Sequence, residues 1–298
     1  VLAVVVTLLI AMAVAMPSTR AWAAVNCASA TAGSTIDSDG DGLTDYEECT
    51  GITLIDGTSV PYCGNSPGGA AGCLDPNRKD LFVIVVPAAN GSLLPAGFNP
   101  FTRRFTSATG LAATAFSALG VTTHQITAAQ ALSDRTVPGV GGVASLLQQK
   151  AIRVAESLDT SASTLGQCNW GTPGGLDGCV VFTQRIQNFL NTNCPNGSSS
   201  NQTVAQLFQD YVTHTFIHEA GHSLGGLTAT YDSRYGGNHY PAMSSKSGTA
   251  VMMEQFESYT VRSGVCTFNY GKGFAMPINA DGTTGWNVNL DSSGVLLK

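Results

Sequence analysis

The chain has 298 residues, 43% hydrophobic and 11% charged, enough for one large domain or two small ones around a sizeable core. A formal net charge of −6 gives nucleic acid no electrostatic footing, and no basic run or basic amphipathic stretch marks a membrane-surface protein. The sparse charge and the abundance of Gly, Ser, Thr and Ala suit an extracellular chain.

Residues 1–16 are predominantly apolar, a polar patch with Pro17 follows, and Ala21-Trp22-Ala23 makes a small-x-small cleavage pattern. This reads as a secretory signal peptide over residues 1–24, cut near Ala23 or Ala24. The run is shorter than the ~20 residues a spanning helix needs, so no stable membrane insertion is expected after cleavage. Eight cysteines follow: Cys27, Cys49, Cys63, Cys73, Cys168, Cys179, Cys194 and Cys266. An even number in an exported chain suggests up to four disulfides. Cys63 with Cys73 and Cys168 with Cys179 are the expected short-range pairs, because each closes a Gly-rich loop. No Cys-x-x-Cys occurs, which disfavours a zinc-thiolate site.

Residues 37–48, DSDGDGLTDYEE, match a calcium-loop template at each side-chain position. Asp37, Asp39, Asp41, Asp45 and Glu48 supply carboxylates, the carbonyl of Leu43 supplies another oxygen, and Gly42 permits the sharp turn. Ca²⁺ takes six to eight hard oxygen ligands, so alternate carboxylates pointing inward suit it. No strong helix pattern precedes the loop. It resembles the single calcium loops of exported bacterial proteins, such as dockerin and thrombospondin type 3 repeats, and the expected role of Ca²⁺ is structural.

Residues 79–87, KDLFVIVVP, read as a buried strand. Residues 107–120 carry apolar side chains at helical spacing and end on glycine, so a helix is expected there. Residues 121–127 form a candidate strand. Residues 143–158 look helical, with a second half that also suits a strand. The stretch TLGQCNWGTPGGLDGC reads as loop, VVFTQRIQNFL as either strand or helix, and residues 196–203 as a surface loop. Strands and helices alternate, which makes the class mixed α and β.

From Val204 an amphipathic helix is expected, with Leu207, Phe208, Val212, Phe216 and Ile217 apolar. It leads into His218-Glu219-Ala220-Gly221-His222. On a helix the two histidines stand about 6 Å apart along the axis and face the same way, so both reach one Zn²⁺. Glu219 lies beside the first ligand, placed to act as general base and then acid. His214 shares nearly the same face but lies about 12 Å from His222 along the axis, too far for one ion. His124 lies far upstream and reads as an ordinary structural histidine.

His-Glu-x-x-His-x-x-Gly, completed by Gly225, resembles the zinc peptidases called metzincins. Their third histidine falls three residues after the glycine, and here that position is Thr228, a poor zinc ligand. Residues 227–238 are read as an insertion, as in leishmanolysin-like peptidases, with His239 completing the site and Asp232 as the rival ligand. The resemblance further implies a Met-turn at Met252 or Met253. The tyrosine expected two residues past the Met is replaced by Glu254 or Gln255, with Tyr240 or Tyr259 as substitutes. More loosely, RKDLFVIVV followed by HTFIHEAGHSLGG resembles exported bacterial and archaeal metzincin-like proteins over residues 78–268.

The expected fold is therefore α+β, a metzincin-like domain with a twisted sheet, backing helices and an active-site helix. The expected layout is a signal peptide at 1–24, a cysteine-containing calcium-loop segment at 25–77 and a catalytic domain at 78–298. The expected activity is zinc-dependent hydrolysis of a protein or peptide substrate outside the cell, with Zn²⁺ catalytic and Ca²⁺ structural. The alternative is a calcium-dependent surface or adhesion protein whose zinc site is structural or inactive.

Overall fold

The computed structural model describes residues 24–64, 72–101, 105–106, 112–113, 121–162, 164–169, 178–223, 259–268, 289–290 and 296–297. Residues 1–23 of the signal peptide expected over 1–24 lie outside this set. Four disulfides join Cys27–Cys49, Cys63–Cys73, Cys168–Cys179 and Cys194–Cys266, including both pairs expected from the sequence. That content is compatible with an extracellular protein. Among the described residues no helix is long and apolar enough to cross a membrane.

In chain order, helix α1 (Asp45–Thr50) is followed by the hairpin of β1 (Ile52–Thr53) and β2 (Ser59–Val60). Strand β3 (Asp80–Val86) comes next, then the small pair β4 (Phe105–Thr106) and β5 (Ala112–Ala113). Strands β6 (Thr122–Ile126), β7 (Ile152–Ser157), β8 (Gly166–Asn169) and β9 (Gly178–Phe182) complete the main sheet. Helices α2 (Thr183–Asn193) and α3 (Val204–Ser223) follow. Two further hairpins are β10 (Tyr259–Arg262) with β11 (Val265–Phe268), and β12 (Asn289–Leu290) with β13 (Leu296–Leu297).

The main sheet has five strands in the order β6-β3-β7-β9-β8. Four run parallel, and the edge strand β8 is antiparallel to β9. The fold is thus mixed α and β around a mostly parallel sheet.

Both faces of this sheet are covered, which is why β3 reads as an unbroken apolar run rather than an alternating one. Leu81 and Val83 of β3, Ile152 and Val154 of β7, and Val181 of β9 pack with Ile186 and Leu190 of α2 and with Leu207, Tyr211, Phe216 and Ile217 of α3. The opposite parity of β3, Phe82 and Ile84, packs with Ile126 of β6 and with Leu43, Ile52, Leu54, Val60 and Leu74. The expected boundary near residue 77 therefore crosses a shared core: the acidic-loop segment covers one sheet face and the helices cover the other.

Three local expectations differ from the structure. Within residues 107–120, expected to be helical, only Ala112 and Ala113 are described, and they pair as strand with Thr106 and Phe105. The first half of 143–158 is not helix. Its Val143 and Leu146 are 65% and 52% exposed, whereas the polar Ser145 and Gln149 are buried by tertiary hydrogen bonds. The second half is β7, with Ile152 and Val154 buried in strict alternation. The stretch taken as loop contains β8, whose Cys168 stands directly opposite Cys179. The ambiguous segment is both strand and helix, β9 running into α2.

Candidate functional site

Helix α3 starts on a reciprocal cap. The Gln206 amide donates to Thr203 Oγ1 (3.3 Å), and the Thr203 amide donates to Gln206 Oε1 (2.9 Å). Its second half is buried nearly all round, from Tyr211 to Ile217 and again at Glu219 and Ala220. Polar residues survive there because their hydroxyls donate back along the helix, Thr213 to Gln209 O and Thr215 to Tyr211 O. His218 is half-buried, and His222 lies one helical turn further on. His214 is buried one turn earlier. His239, Asp232, Tyr240, Met252, Met253, Glu254 and Gln255 lie outside the described residues.

Glu219 lies beneath the antiparallel edge of the sheet. A side chain at Gly166 on β8 would put its Cβ 2.8 Å from Glu219 Cγ and 2.7 Å from Cδ, so any larger residue there would push the Glu219 carboxyl aside. Cys168 Sγ stands 3.1 Å from Glu219 Oε2, and the two sulfurs stand 3.0 and 3.1 Å from the Glu219 carbonyl. These sulfurs are bonded to each other, so they carry no proton to donate and no thiolate to offer a metal. Among the described residues no N–H or O–H donates to the Glu219 carboxylate, and burial pushes it up to about 8. Among the described residues its surroundings provide a closely shaped wall rather than a hydrogen-bond cage.

The acidic loop forms a second centre. Gly40 and Gly42 take φ of 74° and 93°, the left-handed conformations that fold the loop back on itself. Asp37 accepts from the amides of Gly40 (2.6 Å), Asp41 (3.2 Å) and Gly42 (2.9 Å). Asp41 accepts from Leu43 N (2.8 Å) and from Asp80 N (2.6 Å). Asp45 turns toward Ser38, accepting from its amide and hydroxyl at 2.7 Å each. Thr44 and Glu47 form a capping box that starts α1 and places Glu48 in its first turn. Leu43 is fully buried.

Oxygens of Asp37, Asp39 and Asp41 lie within 4.8 Å of one another, and so do oxygens of Asp41, Glu48 and Asp80. Both carboxylate oxygens of Asp39 and of Glu48 are buried with no hydrogen bond among the described residues. Burial, then repulsion from Asp37, pushes Asp39 up to about 8. Burial and the charges of Asp41 and Asp39 push Glu48 far above the carboxylate range. Carboxylates gathered in this number, mutually repelling and undonated at Asp39 and Glu48, fit a hard divalent cation.

Asp80 was not foreseen in the sequence. Its one signal was a charged residue leading an otherwise apolar strand. His124 Nε2 lies 2.6 Å from Asp80 Oδ1, and its ring stacks on Phe82 at 4.7 Å. The histidine is thus packed against β3 and paired with Asp80. No family model, curated protein or solved structure matches the chain.

Proposed function

We propose that the chain is an exported zinc-dependent endopeptidase of the metzincin-like type. The observation that carries this reading is Glu219: a carboxylate buried on α3 between two histidines one turn apart, held under the edge strand of a sheet and given no N–H or O–H donor among the described residues. A carboxylate serving only structure would be expected to be neutralised by hydrogen bonds.

His218, His222 and His239 would hold Zn²⁺, which when bound supplies Lewis-acid polarisation and lowers the pKa of water. Glu219 takes the proton from the attacking water and returns it to the amine nitrogen that leaves. The wall of Gly166 and the Cys168–Cys179 bond keeps bulk water from the carboxylate and fixes its rotamer. Among the described residues strand β8 ends the sheet on this side, so an extended peptide lying along β8 would run past Glu219. In the same reading Ca²⁺ is structural, held by Asp37, Asp39, Asp41, the Leu43 carbonyl and Glu48, with Asp45 at the position often reached through water.

The test uses elemental analysis and peptide hydrolysis. Glu219→Ala protein is expected to carry about one zinc per chain, and adding His239→Ala is expected to remove it. Retention of zinc by the double variant would move the third ligand to Asp232. Glu219→Gln is expected to slow hydrolysis by about 10²–10⁴-fold with zinc retained. Zinc-free protein, or full activity in Glu219→Gln, would sink the reading.

A further inference from the structure

The calcium reading above, on which this inference rests, takes its ligands from the loop alone, yet the buried carboxylates span two parts of the fold. Asp80 begins β3 on the same strand parity as Phe82 and Ile84, the face covered by the acidic-loop segment. We propose that one divalent cation of the calcium type is held jointly by the loop carboxylates Asp37, Asp39, Asp41 and Glu48 and by Asp80 of the sheet. The proposal does not depend on the peptidase activity.

The neutral and cationic groups nearby already join the loop to the strand. Lys79 Nζ donates to the carbonyls of Asp39 and Gly40. Gln149 Nε2 donates to Asp41 O (2.7 Å) and Asp80 O (2.8 Å), and the Asp80 amide donates to Asp41 Oδ2. The Lys79 donors that are accounted for go to carbonyls, while its charge acts on Asp39 through space and offsets only part of the repulsion there.

Glu48 carries the argument. It is fully buried, its oxygens receive no hydrogen bond among the described residues, and its oxygens lie within 4.8 Å of those of Asp41 and Asp80. Such a group is either protonated or paired, and with Asp37, Asp39, Asp41 and Asp80 gathered beside it a cation answers all of these charges at once. Asp80 has capacity for it. Its Oδ1 is bonded to His124 and its Oδ2 accepts from Asp75 N (2.8 Å), and each carboxylate oxygen keeps a second lone pair. His124 then orients Asp80 from behind, as a supporting group does for a metal ligand. The donors are all oxygen, numerous and irregularly placed, which suits Ca²⁺ better than Mg²⁺ or a transition metal.

The experiment is calcium titration by calorimetry of the full chain after chelator treatment, in wild type, Asp80→Asn and Glu48→Gln. Wild type is expected to bind about one Ca²⁺, and each variant to bind about tenfold or more weakly. Unchanged affinity in Asp80→Asn would confine the cation to the loop and overturn the shared site. No binding by wild type would overturn it outright. Hydrogen exchange on wild type, with and without Ca²⁺, decides the matter if a variant fails to fold. Slower exchange is expected in both the loop and the first residues of β3, and a response in the loop alone counts against the proposal.

Discussion

Glu156 shows how much one side chain organises here. It accepts from Ala88 N (2.9 Å), Ser92 Oγ (2.5 Å), Leu93 N (2.9 Å) and Thr183 Oγ1 (2.7 Å), joining β7, the turn after β3 and the start of α2. Burial pushes this carboxyl up, but the hydrogen bonds from Ser92, Ala88, Thr183 and Leu93 together hold it below its ordinary value. A carboxyl with a depressed folded pKa stabilises the fold above its unfolded value of about 4.3, and that stability is lost as pH falls through the folded value. Glu156→Gln is expected to cost about 1–3 kcal/mol at neutral pH. The difference in Tm from wild type should shrink in thermal melts below about pH 4. Gly166 supplies a second test at this scale. Gly166→Ala places a methyl against the Glu219 carboxyl stem, and a displaced general base is expected to lower kcat by about 10²-fold while zinc content stays unchanged. Unchanged kcat would show that the contact is not tight in solution.

Among the elements, those dominated by local pattern were readable and those held by distant partners were not. Strand β3 and helix α3 each combine strong apolar patterning with clear boundary residues, and both stand where the sequence placed them. The segment at 143–150 has helical spacing, yet Ser145 donates to Glu47 (2.9 Å) and Gln149 reaches Asp41 and Asp80, bonds no local window contains. Strand β8 has the composition of a loop and is held as strand by its ladder and disulfide to β9. The Cys194–Cys266 bridge joins the end of α2 to β11, closing a separation of 72 residues. Replacing both cysteines by serine is expected to cost about 2–5 kcal/mol, read as a lower denaturation midpoint with a steeper slope, because the freed chain exposes more surface on unfolding.

At the scale of the molecule, the mixed α and β class was legible from alternating elements, and the acidic loop and the His-Glu pair were legible from spacing alone. Their relation was not. The loop template accounts for Asp37, Asp39 and Asp41 gathering together, but nothing in residues 37–48 announces that Asp80 closes on them. Nor does periodicity reveal that Leu43, Ile52 and Val60 share a core with Phe82 and Ile126. The covering of β3 on both faces also bears on how the chain is made. Synthesis runs from the N-terminus, so the segment that shelters Phe82 and Ile84 emerges before the strand that carries them. Its neighbours in the sheet, β6 and β7, emerge only afterwards. A nascent chain can therefore shield one face of its most apolar strand while it waits for partners, which shortens the interval in which that strand is open to aggregation.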